Sequence, residues 1–167
     1  MARALGLIVV ATLAAALYGA LHNQISVRIS YEYFTVLKFD QFGMPDAIPL
    51  KDGASIVGVL ASWWVGAISG AVVALWHGVL GLRGRGGRAV LTVLLCAAIG
   101  AAAGLGLATA VLDAETAAEL TARWALTDPL AFARVAAMHE GSYLGGFAGL
   151  VLALISATVA ARRGRRR

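Results

Sequence analysis

Apolar residues gather along this chain into four long runs separated by polar stretches. The runs cover residues 4–21, 54–82, 89–112 and 141–161, and none of them holds Asp, Glu, Lys or Arg; Glu140 stands at the edge of the fourth. About 20 apolar residues, each rising about 1.5 Å, cross the hydrocarbon of a bilayer as a helix. Each run therefore predicts a transmembrane helix. The second exceeds a perpendicular crossing, which predicts tilt or a start outside the hydrocarbon. The first, with Arg3 ahead of it and Gly19 and Ala20 near its end, also has the outline of a secretory signal peptide; the expectation is an uncleaved anchor. The fold class is an all-α bundle of four transmembrane helices, one integral membrane domain over residues 1–167.

The polar stretches at 22–53 and 113–140 are patterned too. Residues 25–29 alternate apolar and polar, which predicts a short extended segment. Tyr33, Phe34, Leu37 and Phe39 then fall on one face of a predicted short helix, and Tyr31 and Phe42 extend this aromatic segment. Pro45 and Pro49 predict a turn before the second span. In the other stretch Asp113 is placed to cap a short helix carrying Glu115 and Glu119 four residues apart. Asp128-Pro129 makes an N-cap and first-turn pair for a helix running through Arg134 to Met138-His139-Glu140 and on into the fourth span.

Composition strengthens this reading. The chain is 60% hydrophobic and 14% charged, with mean hydropathy +0.80. Soluble domains are about 45–50% apolar and about 25% charged. A soluble enzyme, a disordered chain and a disulfide scaffold are thereby disfavoured. The single cysteine, Cys96, forms no internal disulfide and reads as a small packed hydrophobe.

The net charge of +5 is a sum of two opposed faces. Arg3, then Arg83, Arg85 and Arg88, then Arg162, Arg163, Arg165, Arg166 and Arg167 occupy the N-terminus, the 83–88 connector and the tail at 162–167, with no acid among them. With four spans those three places share one side, and the positive-inside rule makes it the cytoplasm. The other side holds all nine acids and only Arg28, Lys38, Lys51, Arg123 and Arg134. The expected topology has both termini inside and a structured periplasmic cap. The basic tail reads as an orientation signal that also attracts anionic headgroups. It lacks aromatic interleaving or a recognition fold, so nucleic acid is not an expected partner.

Small residues recur every four positions: Gly66 and Gly70, Gly100 and Gly104, then Gly141, Gly145 and Gly149. That spacing lets helix backbones approach closely. A closed bundle is the preferred reading; docking on a partner subunit needs the same smooth faces. Tyr18, Tyr143, Trp63 and Trp64 are expected near the outer interface and Trp76 near the inner one. No charge sits at mid-depth and all three prolines lie in the outer stretches, which disfavours a proton relay or transporter.

Candidate chemistry lies on the acidic side. His22 ends the first span, His139 and Glu140 begin the fourth, and Glu32 lies between them, with Glu115 and Glu119 across the loops. Imidazoles and carboxylates together suit a divalent metal such as Zn, Fe, Mn or Cu. No HxxxH or HExxH spacing supports such a site. The plainer reading has both histidines hydrogen-bonded at the headgroup level and Glu32 paired with Arg28 or Lys38. His77 falls on the opposite end. The Gly84-Arg85-Gly86-Gly87 connector lacks the pattern of a phosphate cradle.

The run His22-Asn23-Gln24, followed by Ser30-Tyr31-Glu32-Tyr33-Phe34-Thr35, Lys38-Phe39 and Gln41-Phe42, resembles a signature of small, uncharacterised bacterial four-span membrane proteins. The resemblance implies a bacterial inner membrane and four helices, and implies no activity. The expected function is a non-enzymatic accessory, assembly or scaffold subunit of a larger membrane complex, with lipid and other membrane subunits as partners. The alternative is a metal-binding or metal-dependent membrane protein using His22, Glu32, His139 and Glu140.

Overall fold

The computed structural model describes residues 1–82 and 84–164, so Arg83, Arg165, Arg166 and Arg167 of the expected basic side lie outside the described residues. Four long helices carry the fold: α1 (Ala2–Ile29), α3 (Leu50–Val79), α4 (Gly86–Val111) and α6 (Pro129–Gly164). A π-helical turn (Tyr33–Lys38), the short α2 (Phe39–Phe42) and α5 (Ala114–Leu120) complete it. The four long helices, whose most apolar 18-residue stretches have mean hydropathy of 2.2, 1.9, 2.3 and 2.1 in order, are long and apolar enough to span a membrane.

The helices form two antiparallel hairpins, α1 with α3 and α4 with α6. Glycine makes both possible. A methyl on Gly19 or Gly58 would strike the backbone of the other, and one on Gly66 would strike Ala11. In the second hairpin Gly100 faces Gly141 and Gly145, Gly104 faces Ala137 and Gly141, and Gly149 lies over Val93 and Cys96. Lipid tails are as apolar as leucine, so apolar burial gives helices no reason to associate; close backbone contact supplies dispersion instead. The hairpins meet along a lighter seam. Tyr18 and Ser142 share a hydroxyl hydrogen bond of 2.7 Å, and the Trp76 indole donates to the Leu154 carbonyl at 3.2 Å and to Thr158 at 3.1 Å.

Helix length separates the two ends. The 36 residues of α6 extend about 54 Å at 1.5 Å per residue, well beyond a hydrocarbon core of about 30 Å. The excess lies at the end bearing segments 30–49 and 112–128. There Val27, Tyr33, Phe34, Ala54, Phe132 and Val135 form an apolar core, with Leu37, Phe39 and Trp124 packed against it. Phe34 and Phe132 are the largest fully buried side chains. Along the long helices alanine and glycine make the helix contacts and the large apolar residues are exposed. The cap buries its aromatics in protein. A Cβ on Gly53 would come within 2.6 Å of the Phe39 ring, so the first turn of α3 is shaped to that ring. Gly43 closes α2 at φ 60°, a left-handed turn suited to glycine.

Several boundaries differ from the sequence reading. Residues 25–29 are helical, as the last turns of α1, and no strand occurs among the described residues. Asn23, Ser26 and Val27 are buried while Ile25 and Arg28 are exposed, a helical phase that the alternation mimicked over five residues. Anchoring to α3 explains the extension: the Asn23 amide donates to the Ala54 carbonyl at 2.9 Å and Gln24 to the Lys51 carbonyl at 2.7 Å. The outer segments shrink accordingly to 30–49 and 112–128. Trp63 and Trp64 fall midway along α3 on its exposed surface, because that helix begins at Leu50. The capping expectations are met: Asp113 accepts from the Thr116 N–H at 2.8 Å, and Asp128 accepts from the Ala131 N–H at 2.9 Å.

Candidate functional site

Below the cap, α1, α3, α6 and the π-helical turn enclose a cleft of about 50 Å³. Successive turns of α1 supply Tyr18 and His22, with Asn23 beside them. From α6 come His139, Ser142 and Tyr143; from α3, Ser62; from the π-helical turn, Lys38. The spacings are helical: 18 and 22 stack one turn apart, as do 139 and 142–143, so each helix presents one polar stripe to the same space.

The two imidazoles meet edge to face, with ring centroids 4.5 Å apart. Both residues are only 8% exposed. The Ser26 hydroxyl bonds to the His22 carbonyl at 3.2 Å, and its oxygen lies 3.3 Å from His139 Nε2. His22 Nε2 is different: it is buried and finds no hydrogen-bond partner among the described residues. A buried polar atom without a partner costs on the order of 1–3 kcal/mol, so this nitrogen is a point of unmet bonding in a residue that lines the cleft.

Aromatic rings continue from this pair into the cap. Tyr18 lies 5.7 Å from His22, Tyr33 lies 4.7 Å from His139, Phe132 lies 5.3 Å from Tyr33, and Trp124 lies 5.0 Å from Phe132. The Arg123 guanidinium covers Trp124 at 3.9 Å. Lys38 donates to Gln41 at 2.9 Å and stands 5.5 Å from the Tyr33 ring centre. Burial pulls the Lys38 ammonium below its ordinary pKa, and the nearby Glu140 charge opposes that. Burial pushes the Tyr33 phenol up, with Tyr143 and Glu140 adding to the effect.

The four residues considered for a metal do not form one cluster. His22 and His139 come together. Glu32 is held elsewhere: its carboxylate accepts from the Thr127 N–H at 2.7 Å, the Thr127 hydroxyl at 2.9 Å and the Asp128 N–H at 2.8 Å. It pairs with neither Arg28 nor Lys38; instead it ties the two cap segments together. Those three bonds, led by the Thr127 N–H, hold its pKa below the ordinary carboxylate value. Glu140 is exposed on α6, and Glu115 and Glu119 are exposed on α5. No group of three or more metal-ligating side chains occurs among the described residues. The cleft lining instead offers donors: ammonium, imidazole, phenol and hydroxyl groups, with no carboxylate among its described lining residues.

Of the aromatic segment, Tyr33 and Phe34 are buried, Phe39 and Phe42 are half-buried, and Tyr31 is exposed with its hydroxyl 3.3 Å from Thr127. Gly66, Gly70, Gly100, Gly104, Gly141, Gly145 and Gly149 all face helices of this same chain. Tyr18, Ser26, Lys38 and Ser142 are cleft or near-cleft residues that sequence reasoning missed. The signal was a four-residue polar stripe at 18, 22 and 26, hidden by ending the first span at residue 21. No family model matches the chain, and no curated protein or solved structure matches it.

Proposed function

We propose that the protein is a non-enzymatic, multi-pass membrane binding protein whose cleft holds a small ligand that accepts hydrogen bonds. The carrying observation is the Lys38 ammonium in a lining without a carboxylate among its described residues, beside His22 Nε2, which is buried without a partner. Tyr143 adds a phenol, and the lack of a lining carboxylate disfavours a divalent cation. A space of about 50 Å³ suits a group the size of a carboxylate or a few waters. In this reading the chain sits in a bacterial inner membrane with both termini cytoplasmic and the cap periplasmic; the distribution of arginines supports that orientation.

The accessory or scaffold role has less support than the sequence offered, because the glycine faces that would dock a partner are filled inside the two hairpins.

Thermal shift of the detergent-purified protein tests the reading, with formate, acetate and zinc as probes. A carboxylate probe is expected to raise the melting temperature of wild type and not of His22→Ala. Stabilisation by zinc at one equivalent, with no response to formate or acetate, transfers the site to the metal alternative. No response to any probe, together with isolation in a larger complex after gentle extraction, supports the accessory role instead.

A further inference from the structure

The end opposite the cap carries a second built feature. Two adjoining clefts there share Arg85 and Ser156. The inner one, about 250 Å³, lies between α3, α4 and α6 and adds His77, Arg88 and Thr92. The outer one, about 550 Å³, runs along the last turns of α6 to Arg163. His77 is only 8% exposed and forms part of the inner lining. Three guanidinium groups and an imidazole thus line the two adjoining clefts, whose hydroxyls, Thr92 and Ser156, donate to the backbone of their own helices. No acid lies among their described lining residues, and all nine acids of the chain belong to the other end.

Concentrated arginine without acidic partners is electrostatically unfavourable unless an anion neutralises it, and the guanidinium fork matches phosphate oxygens two at a time. Location narrows the anion. Trp76, an exposed indole of the kind that settles at headgroup depth, stands on the same end of α3. From the mouth of the outer cleft, Val159, Ile155 and Leu152 continue down α6 as an exposed apolar strip, a track for an acyl chain.

We propose that this paired cleft is a binding site for an anionic phospholipid. Arg85 and Arg88 grip the phosphodiester, and Arg163 pairs with the outer part of the headgroup. A basic cleft between helices is a stronger device than a basic tail, because Arg85, Arg88 and Arg163 are held beside it at the start of α4 and the end of α6.

Melting of the purified protein in neutral detergent with added lipid tests the assignment, with native mass spectrometry counting bound molecules. Phosphatidylglycerol is expected to stabilise wild type and phosphatidylcholine is not. Apparent affinity is expected to fall about tenfold in the Arg85→Gln, Arg88→Gln double variant, and measurably in Arg163→Gln. A double variant of matched charge at the opposite end, Arg28→Gln with Lys51→Gln, is expected to keep most of it. Equal loss in both double variants overturns the site in favour of diffuse surface charge. Equal stabilisation by phosphatidylcholine overturns the requirement for an anion. Inorganic phosphate or glycerol phosphate binding as tightly as the lipid overturns the lipid assignment in favour of a free phosphate.

Discussion

A single methyl group distinguishes two kinds of glycine in this chain. Gly100 lies on the Gly141 backbone, whereas Gly106 has open space where a Cβ would stand. Overpacking a tight contact costs about 1–3 kcal/mol, so Gly100→Ala is expected to lower the melting temperature by several degrees while Gly106→Ala leaves it unchanged or raises it. Thermal denaturation in detergent reads both. Glu32 gives a second residue-level prediction. Its folded pKa is depressed, so its three bonds contribute stability above the ordinary carboxylate range, and that contribution is lost as pH falls through the depressed value. Wild type is expected to lose stability on acidification more steeply than Glu32→Gln, and the variant to be less stable at neutral pH, since a neutral amide oxygen replaces the carboxylate. Melting curves taken from neutral pH into the acid range test this; parallel curves for the two proteins defeat it. The glycine faces were legible residue by residue, because spacing of four is a property of the helix alone. The role of Glu32 was not, because its partners Thr127 and Asp128 lie nearly a hundred positions away.

Elements divide in the same way. Helix starts with their own side-chain caps were readable in advance: Asp113 before α5 and Asp128 before α6 each bond within three residues. Asp128→Ala is expected to cost about 1 kcal/mol through loss of the α6 cap, and to increase amide exchange in the first turn of α6 rather than along the spans. Hydrogen exchange with mass spectrometry makes that distinction, and uniform loss of protection counts against a local cap. The last turns of α1 misled the alternation rule because five residues are too few to separate a period of two from one of 3.6. Bonds from Asn23 and Gln24 to the α3 backbone decide the case. The π-helical turn at Tyr33–Lys38 has no local signature in the sequence; it coincides with the rotation that brings Tyr33 onto His139 and Phe34 into the cap core.

Across the whole molecule, charge and packing divide between two ends. The cap end holds the acids, the buried aromatics and the histidine cleft; the other end holds the arginine cleft. A membrane-impermeant thiol reagent applied to intact cells of a Cys96→Ala background is expected to label Asp46→Cys and Glu119→Cys, and to reach Gly84→Cys only after lysis. Labelling of Gly84→Cys in intact cells reverses the proposed orientation. The four spans, their order, the caps at Asp113 and Asp128 and the segregation of charge are one-dimensional properties, set by runs of residues and by interactions within one turn. They follow from the amino-acid order whatever the spans later contact. Which helix pairs with which, that His22 meets His139, that Glu32 meets Thr127 and that Arg85 and Arg163 line one cleft depend on the angular position of each helix about its axis. That position is set by backbone contact at Gly19, Gly58, Gly100 and Gly141, and contact of that kind exists only after the helices have packed.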